Sequence, residues 1–203
     1  MEEKEFQERP LNEKESLEII TRMIRNTQRK LERGAGAPML IWGYATFIAT
    51  VSVWLTLKLT LNYQYNYLWF IIPVVGVIGM LLRKKYPGEV RTYVDKVIGY
   101  IWLVLGITGF LLSVLSLINF MWQLPILFVI IVIMGMGSTL TGLVTEFKPM
   151  IIGGITGLLL GIAHYLISGY DIKMLTFAFA FVVMFIIPGH ILNYKAKKIC
   201  LKN

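Results

Sequence analysis

The sequence predicts an all-α protein: a polytopic membrane bundle of six transmembrane helices, preceded by an amphipathic helix. Three observations carry that reading. Only 16% of the 203 residues are charged, while 56% are hydrophobic; an average soluble domain carries about 25% charged residues. The charges are gathered at the N-terminus, across residues 83–96 and at the C-terminus, with long apolar runs between them, as in chains that cross lipid repeatedly. With both ends placed inside, every Lys and Arg except Lys58 and Lys173 falls on the inner side. That is the asymmetry that orients multi-pass membrane proteins.

The first 36 residues form a cytosolic leader and an amphipathic helix. Asn12 is placed to cap it, with Glu15 three residues on to complete a capping box. Leu17, Ile20, Ile24 and Leu31 follow helical spacing, and Arg22, Arg25, Arg29, Lys30 and Arg33 are its cations. Such a helix lies on anionic headgroups or docks on a cytosolic protein or a second copy of the chain. Gly34 to Pro38 ends it, as Gly and Pro do.

The transmembrane domain covers residues 37–194, with spans at about 38–59, 67–82, 97–118, 124–144, 149–168 and 174–193. Trp42, Tyr44 and Trp54 mark the two ends of the first span, as interfacial aromatics do. The second is short and holds Pro73, so it is expected to kink or to thin the bilayer. The loop after it carries Arg83, Lys84 and Lys85, a further docking or lipid surface. Pro149 opens the fifth span, where its missing N–H does no harm. Pro188-Gly189 is expected to break the inner end of the sixth, and residues 195–203 form a basic tail.

Between the fourth and fifth spans lies GMGSTLTGLVTEFKPMIIGGITGLLLG, residues 135–161. Gly153, Gly157 and Gly161 recur every four residues and share one helix face; Gly135, Ser138 and Gly142 form a second small-residue stripe. Such faces let helices approach closely in lipid. A tight hairpin at the centre of the bundle is expected, turning at Thr145 to Lys148. The odd spans also begin alike, with Ile41-Trp-Gly-Tyr44, Val97-Ile-Gly-Tyr100 and Ile151-Ile-Gly-Gly154. Two readings of this stand: three parallel helical hairpins, or the chance agreement of a small apolar alphabet.

Trp42-Gly-Tyr44 behind a basic amphipathic helix, Ile98-Gly-Tyr-Ile-Trp102, Gly142-Leu-Val-Thr-Glu-Phe-Lys-Pro149 and Ile187-Pro-Gly-His190 together resemble an uncharacterised family of small bacterial six-helix integral membrane proteins with an N-terminal amphipathic cytosolic helix. The likeness covers nearly the whole chain. It implies a six-helix fold in the bacterial inner membrane, and it brings no site residues.

Chemistry is sparse. No Asp, Glu, Lys or Arg falls at the middle of a span, which speaks against carboxylate-coupled transport. There is no HExxH pair and no Gly-x-Ser-x-Gly elbow, so no catalytic residue, metal or cofactor is assigned. Cys200 is the only cysteine, which rules out an internal disulfide; Lys202 spoils the likeness of its setting to a prenylation box. Net charge is +8, read as the cytoplasmic Lys and Arg excess. Direct nucleic-acid binding is not expected, since no such motif is present. His164 and Tyr165, near the outer end of the fifth span, are the candidate ligand-binding pair. The bland reading of His164 is a neutral ring hydrogen-bonded to a neighbour, and His190 has a structural reading beside the broken sixth span.

These features favour a regulatory or interaction module that presents a cytosolic amphipathic helix. The alternative is a small-solute or lipophile carrier, similar in size to vitamin-binding transporter subunits, with Ala45 and Ala49 as its small-residue contact. An intramembrane enzyme ranks third.

Overall fold

The computed structural model describes residues 17–18, 36–82, 93–117 and 124–200. Among them are six helices long and apolar enough to cross a membrane and no strand, an architecture compatible with a multi-pass membrane protein. The amphipathic helix, with Arg22, Arg25, Arg29, Lys30 and Arg33, and the loop with Arg83, Lys84 and Lys85 lie outside the described residues.

Helix α1 is Gly36–Thr60; α2 is Ile71–Leu82, entered through a 3-10 turn at Tyr63–Phe70. Then come α3 (Tyr93–Leu117), α4 (Ile126–Val144) and α5 (Lys148–Leu166). The last apolar stretch joins α6 (Tyr170–Phe181), a π segment (Val182–Ile186) and α7 (Ile187–Cys200) into one rod. The helices alternate in direction. One end of the bundle, the near end, carries Gly36, Leu82, Tyr93, the α4–α5 turn and Cys200. The far end carries Thr60, Leu117, Ile126 and Tyr170.

The short second span is lengthened by its entry. Eight residues of 3-10 helix and twelve of α-helix, at rises of ~2.0 and ~1.5 Å per residue, reach about 34 Å. Asn62 starts the turn by accepting from the Gln64 N–H at 3.0 Å. The α-helix begins at Ile71, so Pro73 lies just after the switch from 3-10 to α pairing.

The sixth span does not break at Pro188. Helix continues to Cys200, into the segment that the sequence assigns to the tail. Proline has no N–H for the carbonyl four residues back, and its ring crowds that carbonyl. The turn before it is widened to i→i−5, with the Ile187 N–H bonded to the Val182 carbonyl, a π-bulge that absorbs the conflict without ending the helix.

The α4–α5 hairpin is as tight as its glycines require. Its turn closes with the Phe147 N–H on the Gly142 carbonyl (2.9 Å) and the Glu146 N–H on the Leu143 carbonyl (3.3 Å), the two bonds of a Schellman cap. The residue at the left-handed position is Glu146, φ 53°, where glycine is the usual occupant. A side chain there costs ~1–2 kcal/mol, so Glu146→Gly is expected to raise stability by ~1 kcal/mol. A thermal melt in micelles checks this, and a lowered midpoint would show that the Glu146 side chain holds the turn.

The two junctions that join successive hairpins are unlike. Helices α4 and α5 pack closely along their glycine faces, whereas α2 and α3 meet at Phe70 and Phe110 beside an apolar gap.

Candidate functional site

The best-defined buried polar locus is where α4, α5 and the π segment meet. Ser138 is fully buried, its hydroxyl 3.3 Å from the Met150 carbonyl and 3.4 Å from that of Met184. Met184 is the residue four before Pro188, so its carbonyl is the one that proline cannot serve. The hydroxyl of α4 is thus spent on the backbone of the widened helix. Thr139, Thr141 and Thr145 bond back to carbonyls four residues earlier in α4, which satisfies them inside an apolar environment. Thr141 also accepts from the Trp102 Nε1–H at 3.0 Å, tying α3 to α4.

The small-residue stripes divide their work. Gly135, Gly142 and Gly161 face across the α4–α5 contact: a Cβ on Gly142 would lie 2.7 Å from Ile151 N, one on Gly135 3.2 Å from Gly154 O, and one on Gly161 3.1 Å from Ile131. Gly153 and Gly157 turn instead to the sixth span. A Cβ on Gly153 would lie 2.7 Å from Val183 O, and one on Gly157 would overlap the Met184 thioether. Gly154, which the sequence shows only as part of a repeated phrase, is buried against the α4 backbone. A Cβ there would lie 2.6 Å from Thr139 N and 2.9 Å from Gly135 O. Adjacent glycines, about 100° apart on the helix, serve two different neighbours.

Aromatic rings fill the axis beside this locus. Phe177, Phe181 and Phe185 follow at four-residue spacing, with ring centroids 5.0 and 5.6 Å apart. Trp69 caps the row at the far end (5.5 Å from Phe177), and Trp102 meets Phe185 at 5.7 Å. Val53, Ile131, Ala180 and Met184 have no exposed surface.

At the far end, His164 and Tyr165 do not form one site. His164 is 3% exposed, whereas Tyr165 is exposed and packs on Phe128. The His164 ring has Lys173 as its polar neighbour, yet its Nδ1 is buried without a hydrogen-bond partner. An orphaned buried group costs ~1–3 kcal/mol. His164→Leu is therefore expected to melt at or above the native temperature. A loss of more than ~2 kcal/mol would show that the ring is held by polar contacts. Nearby, the Trp54 Nε1–H donates to Asp171 at 2.6 Å, and Lys58 lies 3.8 Å from the same carboxylate. This exposed pair adds little stability but fixes α1 against α6.

At the near end, Tyr44 Oη and His190 Nε2 share a hydrogen bond of 2.8 Å, joining α1 to α7. The sequence reads Tyr44 as an interfacial anchor and His190 as structural; here the two are bonded to each other. Trp42, the other predicted anchor, fills the notch at Gly76 of α2. Lys195 reaches over Phe147 in the α4–α5 turn, 5.3 Å from the ring centroid. Among the described residues, no three His, Cys, Asp or Glu side chains are gathered as a metal centre needs.

Comparisons of the chain with protein-family models, with curated proteins and with solved structures return no match.

Proposed function

We propose that the chain is a regulatory or interaction module of the bacterial inner membrane, with both termini cytoplasmic. In this reading the bundle is a scaffold. The amphipathic helix and the basic loop form its working surface, offered to anionic lipid and to a cytosolic protein or a second copy. The family resemblance points the same way in fold and setting.

The supporting observation is the filled axis. The five-ring row from Trp69 to Trp102 and the fully buried Met184 occupy the space where an axial carrier would hold its cargo. The polar groups of this locus are spent on backbone carbonyls and on Trp102. The carrier alternative also loses its contact surface, because Ala45 and Ala49 are buried within the bundle.

The test is removal of residues 1–34. The shortened protein should insert and melt like the native one, while losing partners recovered with the full chain in a pull-down. Recovery of the same partners by the shortened chain would overturn the reading.

A further inference from the structure

Helices α2 and α3 are the flanks of the bundle, and a wedge separates them. They close on each other where the Phe70 and Phe110 rings meet edge-on at 6.2 Å. Beside that contact is a cleft of about 470 Å³ lined by Phe70, Pro73, Val74, Val77, Ile78 and Phe110, within the ~300–1,000 Å³ of small-molecule sites.

Phe110 is the α3 contribution to this lining, and the α3 face that continues from it towards the near end has a distinctive surface. The helical glycines of α1, α2, α4 and α5 all face a neighbouring helix so closely that an added Cβ would come within 3.1 Å of it. Gly99 and Gly106 have nothing within 4 Å. With Phe110 they lie on one face, because Lys96, Gly99, Leu103, Gly106 and Phe110 follow three-four spacing. This stripe starts at an exposed cation at the near end, passes two notches and stops at the closed end of the wedge. From Lys96 to Phe110 it runs about 21 Å at ~1.5 Å per residue, the depth of one leaflet with its headgroup. Asp95 adjoins Lys96 and is engaged in an interaction of its own. In the sequence, the connection from Leu82 to Tyr93 carries Arg83, Lys84, Lys85 and Arg91 against Glu89.

We propose that this wedge binds one anionic phospholipid, with an acyl chain along the Gly99–Gly106 notches and its phosphate at Lys96. A cation at one end and a closed aromatic stop at the other match a ligand that is charged at its head and ends within one leaflet. A helix of a second copy would run the full length and meet the Phe70–Phe110 closure. Basic pockets between helices are a recurrent headgroup site. The inference rests on the membrane setting of the proposed function and is independent of the docking helix, so the lipid measurement and the pull-down fail separately.

The test is native mass spectrometry of the full chain in mild detergent, with phosphatidylglycerol or phosphatidylcholine added. One phosphatidylglycerol should be retained in preference to phosphatidylcholine. Lys96→Gln should cut that preference about fivefold, the effect of one cation near a headgroup. A Cβ on Gly106 has no atom within 4 Å, so Gly106→Leu should melt normally and lose retention of both lipids. Equal retention of the two lipids by the native protein, or undiminished retention by Gly106→Leu, would overturn the proposal. So would a native dimer that Gly106→Leu dissociates, since a second copy would then occupy the wedge.

Discussion

Gly154→Ala is expected to destabilise the protein by about 3 kcal/mol, the upper range for overpacking. The added carbon would press on the Thr139 amide and the Gly135 carbonyl, and neither backbone group can withdraw without shifting α4 as a whole. Gly157→Ala is the informative contrast. The three atoms nearest its carbon all belong to the Met184 side chain, and a thioether with three rotatable bonds can swing aside, so the cost should be about 1 kcal/mol. Gly157→Leu should exceed that, since Met184 cannot yield the volume of a whole isobutyl group. Unfolding in mixed micelles measures all three. Equal losses for the two alanine variants would mean that the α4–α5 contact is no tighter than the contact with the sixth span.

Ser138→Ala is expected to cost about 1–2 kcal/mol, because it strips a donor from carbonyls in a dry interior. The account gives a reason that can be isolated: Pro188 cannot serve the Met184 carbonyl, so Ser138 does. In a Pro188→Ala background the backbone regains an N–H for that carbonyl, and the cost of Ser138→Ala should fall below about 0.5 kcal/mol. The difference is a coupling energy from a double-mutant cycle. Identical costs in both backgrounds would show that the hydroxyl serves the Met150 carbonyl alone.

Much of the architecture was legible because lipid crossing writes itself in long apolar runs and confined charge. The six helices fall close to their expected places, and the turn at Thr145 to Lys148 is where the glycine-rich stretch puts it. The small-residue stripes announce close packing but do not identify the neighbour. Gly153 and Gly154 are chemically alike, and only the rotation of α5 sends one to Val183 and the other to Gly135. Pro188 reads as a break because the local rule sees a missing N–H; the π turn and Ser138 are the tertiary answer to it. His164 and Tyr165 are adjacent in sequence and so look like a pair, but helical rotation buries one and exposes the other. The wedge was hidden for a related reason: Gly99 and Gly106 differ from the packed glycines only in having no neighbour.

The central claim is that the protein works through its near end, where Tyr44–His190 and Lys195–Phe147 tie the helices and where α1 begins at Gly36. Photo-crosslinking in native membranes tests it most directly, with probes replacing Lys195 at the near end and Asn62 or Tyr170 at the far end. The account predicts discrete protein adducts from position 195 and only lipid adducts from positions 62 and 170. Protein adducts from the far-end positions, with none from position 195, would contradict it.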